Sequence, residues 1–190
     1  MSRAYRISVS ESLRTVIRGS DHVSTQLQLL EILPQKDMTA LLTSELVELG
    51  FEERDGSIVR QDGNVRISVN TETDEVTVSA DLSEEVQLEE THHGWGDEDF
   101  GEAGRIRTEE RLREEAQKHL EAAADRENEK LRQQATDELE GHLRDVQAEL
   151  DRAVNRATAA ALRLKASQIG EIRQITEDSE TGSMTIVVDV

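Results

Sequence analysis

The sequence contains no cysteine, a single proline and very few aromatic residues, which make up only 2% of its 190 positions. Without cysteine the chain has neither a disulfide framework nor a thiolate metal site. Its core must be built mainly from Leu, Val, Ile and Ala. No stretch approaches the roughly 18 apolar residues of a membrane-spanning helix, and no secretory signal opens the chain. We therefore expect a cytoplasmic protein with no membrane partner.

Basic residues are also scarce, with 22 Lys and Arg against 41 Asp and Glu and a net charge of -19. Residues 1–104 hold 8 basic and 22 acidic side chains, whereas residues 105–165 hold 13 and 14. No basic residue lies between Arg66 and Arg105. Because such a surface repels phosphate groups, we expect no nucleic-acid partner and favour a basic protein surface. Acidity that only maintains solubility is the alternative.

The first fifty residues combine strand and helix patterns. Alternation in residues 4–33, with a turn at "RGSDH", predicts a hairpin of two long strands. Pro34 then precedes apolar residues at helical spacing, and Gly50 follows them. Proline is favoured in the first turn of a helix and glycine just after its end. This pattern predicts an amphipathic helix over residues 35–49.

Residues 51–90 are rich in short strand patterns. Asp55-Gly56, Asp62-Gly63 and "NTETD" are turn sequences between alternating runs. They predict an antiparallel meander covered on one face by the helix, so that residues 1–90 form an acidic α+β module. The predicted fold class is α+β: a small antiparallel sheet with one packed helix, a long coiled-coil-like helix or helical hairpin, and a C-terminal β-hairpin.

Residues 105–168 have the composition of one long helical segment. They contain no proline and one glycine, and they are rich in Ala, Leu, Glu and Arg. From Leu131 to Leu164, apolar residues recur about every 3.67 positions, close to an eleven-residue repeat, so the segment resembles a coiled coil, and the apolar seam thins upstream of Leu131. The polar run 125–130 allows a bend into a hairpin. Since we expect the small module to leave this apolar seam uncovered, the seam predicts a homo- or hetero-oligomer.

The last segment, residues 169–190, contains two apolar runs around the turn "EDSETGS". A terminal strand is stable only when it is paired. We therefore expect a C-terminal β-hairpin that returns to the sheet of residues 1–90 and completes it.

The stretch "THHGWGDEDFGEAG", residues 91–104, is predicted to be a flexible, acidic, glycine-rich loop. One alternative is a docking segment in which two exposed aromatic side chains, Trp95 and Phe100, insert into a partner. Another is a metal site. Adjacent histidines on an extended chain point to opposite faces, however, and the acids lack the spacing of a calcium loop. The metal alternative would use His92, His93, Asp97, Glu98 and Asp99.

Motifs for catalysis are absent from the sequence. It contains no Gly-x-Ser-x-Gly elbow and no phosphate-binding Gly-x-x-x-x-Gly-Lys-Ser/Thr loop. His22, His119 and His142 each stand alone in the sequence and are interpreted as solvated side chains. An enzyme is not excluded, but nothing supports one, and we predict no cofactor.

The segments "MSRAYRISVSES", "DHVSTQLQLLEILP" and "TEDSETGSMTIVVDV" resemble one of the bacterial FtsH ternary system accessory domains. This resemblance implies an accessory subunit of an assembly that contains an FtsH-like or MoxR-like AAA+ ATPase, in bacterial conflict or stress response. We therefore expect a non-catalytic adaptor or scaffold that works through its helix, with a metal-dependent hydrolytic or binding domain at His92 and His93 as the alternative. The predicted partner-binding residues are Trp95, Phe100, Leu131, Leu139, Leu143, Val146, Leu150, Val154 and Leu164.

Overall fold

The computed structural model describes residues 4–97, 99, 101–177 and 183–189. Seven strands and two helices follow one another along this part of the chain, which gives the α+β fold that the sequence predicts. The elements are β1 (Ala4–Gln26), α1 (Gln35–Glu48), β2 (Glu52–Arg54), β3 (Ser57–Asp62), β4 (Val65–Asn70), β5 (Glu75–Asp97), α2 (Gly101–Ile169), β6 (Glu171–Glu177) and β7 (Met184–Asp189).

The chain divides into two compact units. One, the ribbon unit, consists of Met1–Ser20 and Asp81–Thr136, and the other, the sheet unit, consists of Asp21–Ala80 and Asp137–Val190. The long elements β1, β5 and α2 each contribute residues to both units. The division therefore cuts across the predicted 1–90 module and the predicted helical segment 105–168.

The main sheet has five strands in the order β1-β5-β4-β3-β2, and the strands from β2 to β5 run antiparallel. The three predicted turns are confirmed, since they join β2 to β3, β3 to β4 and β4 to β5. Asp55 and Gly56 have φ values of 50° and 80°, as a tight two-residue hairpin turn requires. Alternate residues of β4 and β5 form a buried face: Val65, Ile67, Val69, Val76, Val78 and Ala80.

Helix α1 confirms the amphipathic helix predicted over residues 35–49. It begins directly after Pro34, and Gly50, with a φ of 85°, follows its end. Its buried side is formed by Met38, Leu42 and Leu46. Met38 packs with Ala161 of α2, so α1 covers part of that helix within the sheet unit.

Helix α2 is uninterrupted from Gly101 to Ile169, so the alternative of a helical hairpin is wrong. Most of its apolar seam is buried within this single chain, and the expectation that the chain could not cover it is also wrong. The reason is strand length, because β1 and β5 have 23 residues each where about 5–6 are usual. The buried seam residues are Leu131, Ala135, Leu139, Val146, Leu150, Ala157 and Ala161.

Strand β1 replaces the hairpin predicted over residues 4–33. The predicted turn "RGSDH" lies inside this strand. The glycine of this sequence, Gly19, allows β1 to lie directly against α2. A Cβ atom at this position would overlap the backbone of Leu131 and Arg132. Glycine within a strand signals either a turn or a close backbone approach, and here it is the second.

The prediction of a flexible loop at residues 91–104 is also wrong, because here too the glycines serve close contacts within a strand. Residues 91–97 complete β5, and α2 begins at Gly101, which has a φ of 60°. Gly94 and Gly96 are buried in the strand. A Cβ atom on Gly94 would lie 3.0 Å from Leu112 of α2, and one on Gly96 would lie 2.5 Å from the Tyr5 ring. These glycines provide room for neighbouring side chains and do not loosen the chain.

The C-terminal β-hairpin is confirmed, but its predicted return to the main sheet is wrong. Strands β6 and β7 pair antiparallel in a two-stranded sheet of their own, with an irregularity between Ile172 and Gln174. Each strand satisfies the backbone of the other, so neither needs the edge of the five-stranded sheet. Gly170 lets the start of this hairpin lie against Asp189, whose carbonyl oxygen a Cβ atom at position 170 would overlap.

We predict that Gly19→Ala lowers the free energy of unfolding by about 1–3 kcal/mol, because the added methyl group must displace the backbone of α2. The matched control is Gly141→Ala, at a helical position where an added Cβ atom would meet nothing within 4 Å beyond the neighbouring backbone of its own helix. That change should raise the free energy of unfolding by up to about 1 kcal/mol. Urea denaturation measures both values. Equal stabilisation by the two substitutions would contradict the close contact at Gly19.

We further predict that Leu139→Ala, at a side chain only 1% exposed, lowers the free energy of unfolding by about 2–5 kcal/mol. Leu164→Ala, at a side chain 47% exposed, should change it by less than about 0.5 kcal/mol. Since the chain covers its own seam, the wild-type melting temperature should not depend on protein concentration. A melting temperature that rises with concentration would show that a second copy provides the cover.

Candidate functional site

The last third of β5 presents two different faces within the ribbon unit. Side chains in a strand alternate between faces, so even and odd positions separate here. Glu90 and His92 are half-buried and Gly94 and Gly96 are buried, whereas Thr91, His93 and Trp95 are exposed. The even-numbered face is directed toward α2, because Gly94 contacts Leu112 of that helix.

Two histidines meet between β5 and α2. The ring centroids of His92 and His119 lie 4.7 Å apart, with the ring planes at 82°. The Glu90 carboxylate lies 3.8 Å from His92 Nε2. One potential ligand atom from each of these three residues lies within 4.8 Å of the other two. We call this group the histidine cluster, and two imidazoles with a carboxylate are donors that suit a divalent transition metal.

The histidine cluster differs from the metal site considered from the sequence. His93 lies on the opposite face of β5 from His92, as adjacent residues in a strand must. Asp97 Oδ1 accepts a hydrogen bond of 3.1 Å from the backbone N–H of Asp99, which makes a local turn. Glu98 lies outside the described residues. His119, which the sequence led us to interpret as isolated, is the second histidine.

Of the two aromatic residues in the predicted docking segment, the structure describes Trp95. Trp95 is 72% exposed, the highest value among the large hydrophobic side chains exposed in the part of the chain that the structure describes. It belongs to the odd-numbered face of β5, away from the histidine cluster. Phe100 lies outside the described residues.

The seam residues predicted to bind a partner fall into three classes. Leu131, Leu139, Val146 and Leu150 are at most 6% exposed, and so they belong chiefly to the core. Leu143 and Val154 are half-buried, and Leu164 is 47% exposed. The surface that α2 offers to a partner is therefore narrower than the sequence pattern suggested.

Four of these residues line an open groove in the sheet unit, with a volume of about 700 Å³. We call it the seam groove. Its walls come from α2 on one side and from β1, β5 and the segment after β1 on the other. The apolar lining residues are Val23, Leu27, Val76, Val78, Leu143, Val146, Leu150 and Val154, and the polar ones are Thr25, Gln26, Gln28, Gln147, Asp151 and Asn155.

A salt-bridge network elsewhere in the sheet unit fixes α2 against β3. Arg60 donates a hydrogen bond of 2.8 Å to Glu149 and one of 2.9 Å to Asp62, and its guanidinium lies 4.8 Å from the Phe51 ring centroid. Burial opposes the positive charge of Arg60, but these two carboxylates outweigh it and raise its pKa above the usual value. Because the guanidinium is occupied by these partners, the network has a structural role.

Among the described residues, no helix combines the length and the apolar composition needed to cross a membrane. The family model described as FtsH ternary system domain X5 matches residues 1–190, the whole chain. No curated protein and no solved structure matches. The chain therefore belongs to the FtsH ternary system domain X5 family.

Proposed function

We propose that the chain is an accessory subunit that binds other proteins of an FtsH ternary system, including its AAA+ ATPase, and contributes contacts rather than chemistry. The observation that carries this proposal is the seam groove. Family membership supports an accessory role in such a system, and the groove offers a place for a partner within it.

The seam groove has the chemistry of a binding surface for protein. Its eight apolar lining residues are aliphatic, while its polar lining comes from amides, a threonine and a single carboxylate. Leu143 to Val154 covers eleven residue steps of α2, or about 16 Å at about 1.5 Å per residue. Of the eight apolar lining residues, Val76, Val78, Val146 and Leu150 are at most 5% exposed, so the accessible apolar surface comes from Val23, Leu27, Leu143 and Val154. In a chain that is 33% charged, apolar surface of this kind inside a groove supports an interaction site.

The occupant we propose is an apolar helical segment of the ATPase. Leu143, Val146, Leu150 and Val154 recur at the three- and four-residue spacing of one helix face, which a second amphipathic helix can match. The only charged residue lining the groove is Asp151. Because Asp151 and the net charge of -19 are negative, we expect the partner helix to carry basic residues on either side of the apolar face that enters the groove.

Trp95 is the second contact we propose. A tryptophan with most of its surface exposed is the residue type that most often dominates the free energy of binding in protein interfaces. Thr91 and His93 share its face of β5, and Glu85, Glu89 and Glu90 give this part of the strand an acidic character. The same acidity opposes nucleic acid and anionic lipid, so we expect neither as a partner.

We predict that Val154→Asp weakens binding to the AAA+ ATPase encoded by the same system at least about 10-fold, because it places a charge in the apolar groove. Val154 is half-buried, so the variant should remain folded. The control is Val47→Asp, at an α1 side chain 52% exposed that does not line the groove. Titration calorimetry with purified proteins measures the dissociation constants, and circular dichroism checks the fold.

Equal affinity of the Val154 and Val47 variants would refute the seam groove as the binding surface. Failure of the wild-type chain to bind any purified component of its own system would refute the accessory role itself. The two outcomes are separate, since a partner could still bind elsewhere on the chain when the groove is blocked.

We also predict that Trp95→Ala weakens the same complex about 30-fold, which corresponds to about 2 kcal/mol for a dominant aromatic contact. Thr91→Ala, on the same face of β5, is the control and should leave the dissociation constant unchanged within about twofold. Because both side chains are exposed, neither change should alter thermal stability by more than about 1 kcal/mol, although Thr91→Ala removes a hydrogen bond of 2.9 Å to the Ser10 hydroxyl. Matching effects of the two substitutions would remove Trp95 from the interface.

A further inference from the structure

We infer that Glu90, His92 and His119 form a binding site for a divalent transition metal of the Zn²⁺ class. This inference does not depend on the proposed function, because it concerns the histidine cluster of the ribbon unit and no residue of the seam groove. It would add a metal-linked property to a chain whose sequence contains no recognisable metal motif.

The three donors are close enough to converge on one ion. Zn²⁺ bonds to imidazole nitrogen and carboxylate oxygen are about 2.0–2.2 Å long, so tetrahedral ligand atoms lie about 3.3–3.5 Å apart. In the cluster the carboxylate and His92 Nε2 are 3.8 Å apart, and all three donor atoms fall within 4.8 Å. The donor atoms would have to move by about 1 Å to reach these distances, a shift that small changes of the side-chain torsion angles can provide.

The scaffold holds the two elements that carry the donors. Glu90 and His92 are two residues apart on β5, so the strand itself places both on the face toward α2. Next to them along the strand, Gly94 lies against Leu112 and Thr108 of α2. On the helix, Ala116 and Leu120 are 0% and 4% exposed. Donors on packed elements keep their geometry better than donors on a loop.

Exposure and charge around the cluster suit an exchangeable cation. The side chain of His92 is only 18% exposed and that of Glu90 is 37% exposed, whereas His119 is exposed to solvent. Solvent can therefore reach the cluster from the helix side and supply a fourth ligand. Residues 81–97 of β5 contain six acidic and no basic side chains, so the local potential favours a divalent cation.

A simpler interpretation is a half-buried histidine that stacks on a neighbour and forms a weak ion pair with Glu90. In that arrangement the three side chains contact one another and are not expected to converge on an ion. A metal site instead requires both imidazoles to be neutral and to present a lone pair to the same point. The two interpretations differ in metal affinity and in which substitutions change it.

The experiment titrates Zn²⁺ into the full chain, purified without a histidine tag, in competition with a chromophoric chelator. We expect one Zn²⁺ per chain and a rise in melting temperature on binding. His119→Ala should lower the affinity at least about 100-fold, and Glu90→Gln at least about 10-fold. The matched control is His93→Ala, which removes the adjacent histidine on the opposite face of β5 and should leave the affinity unchanged.

Co²⁺ gives a second readout that a purely structural role would not affect. The Co²⁺ complex of the wild type and of His93→Ala should show the visible ligand-field absorption of a four-coordinate site, and His119→Ala should lack it. Metal-free circular dichroism should show that the His119 variant, changed at an exposed side chain, keeps its fold. Equal zinc affinity in His93→Ala and His119→Ala, or no stoichiometric zinc in the wild type, would overturn the inference.

Discussion

Burial of the apolar seam of α2 by the same chain is the constraint on which the rest of the structure depends. Between Leu131 and Leu164 of this 69-residue helix, a mean spacing near 3.67 keeps the apolar residues on one side. No compact module of short strands could cover such a side. Two strands of 23 residues supply part of the cover, and glycines set their distance from the helix where Cβ atoms would overlap it. The seam, which by its pattern would need a second molecule, is largely covered within one.

The sequence allowed much of the sheet unit to be predicted, because its signals are local. Pro34 and Gly50 bound α1, and turn dipeptides such as Asp55-Gly56 separate β2, β3 and β4. The long elements could not be predicted in this way. In the sequence, Gly19 and Gly94 look the same as glycines that form turns. Their role becomes clear only in the structure, where the backbone of Leu131 lies against Gly19 and the side chain of Leu112 lies against Gly94. Local patterns specify an element but not which distant surface lies against it.

The histidine cluster could not be predicted from the sequence for the same reason, because its residues lie on two elements that are distant in the sequence. Alternation along β5 correctly places His92 and His93 on opposite faces, and this was one of the two arguments from the sequence against a metal site. His119 follows a different period, that of a helix, and lies 27 positions away. Its place beside His92 depends on the phase of α2 relative to β5, which Leu112, Ala116 and Leu120 set by their burial within the ribbon unit. The sequence shows that His119 precedes a seam residue, but not which strand it would face.

Coverage of the seam also decides where a partner can bind. Had the whole stripe from Leu131 to Leu164 been open, self-association of α2 would have been the simplest outcome. Leu131 and Leu139 are buried, whereas Leu143 and Val154 keep part of their apolar surface inside the seam groove and Leu164 is exposed outside it. The same burial that stabilises the chain thus leaves less accessible apolar surface on α2 than the sequence pattern predicts, which is consistent with the proposed role of the seam groove.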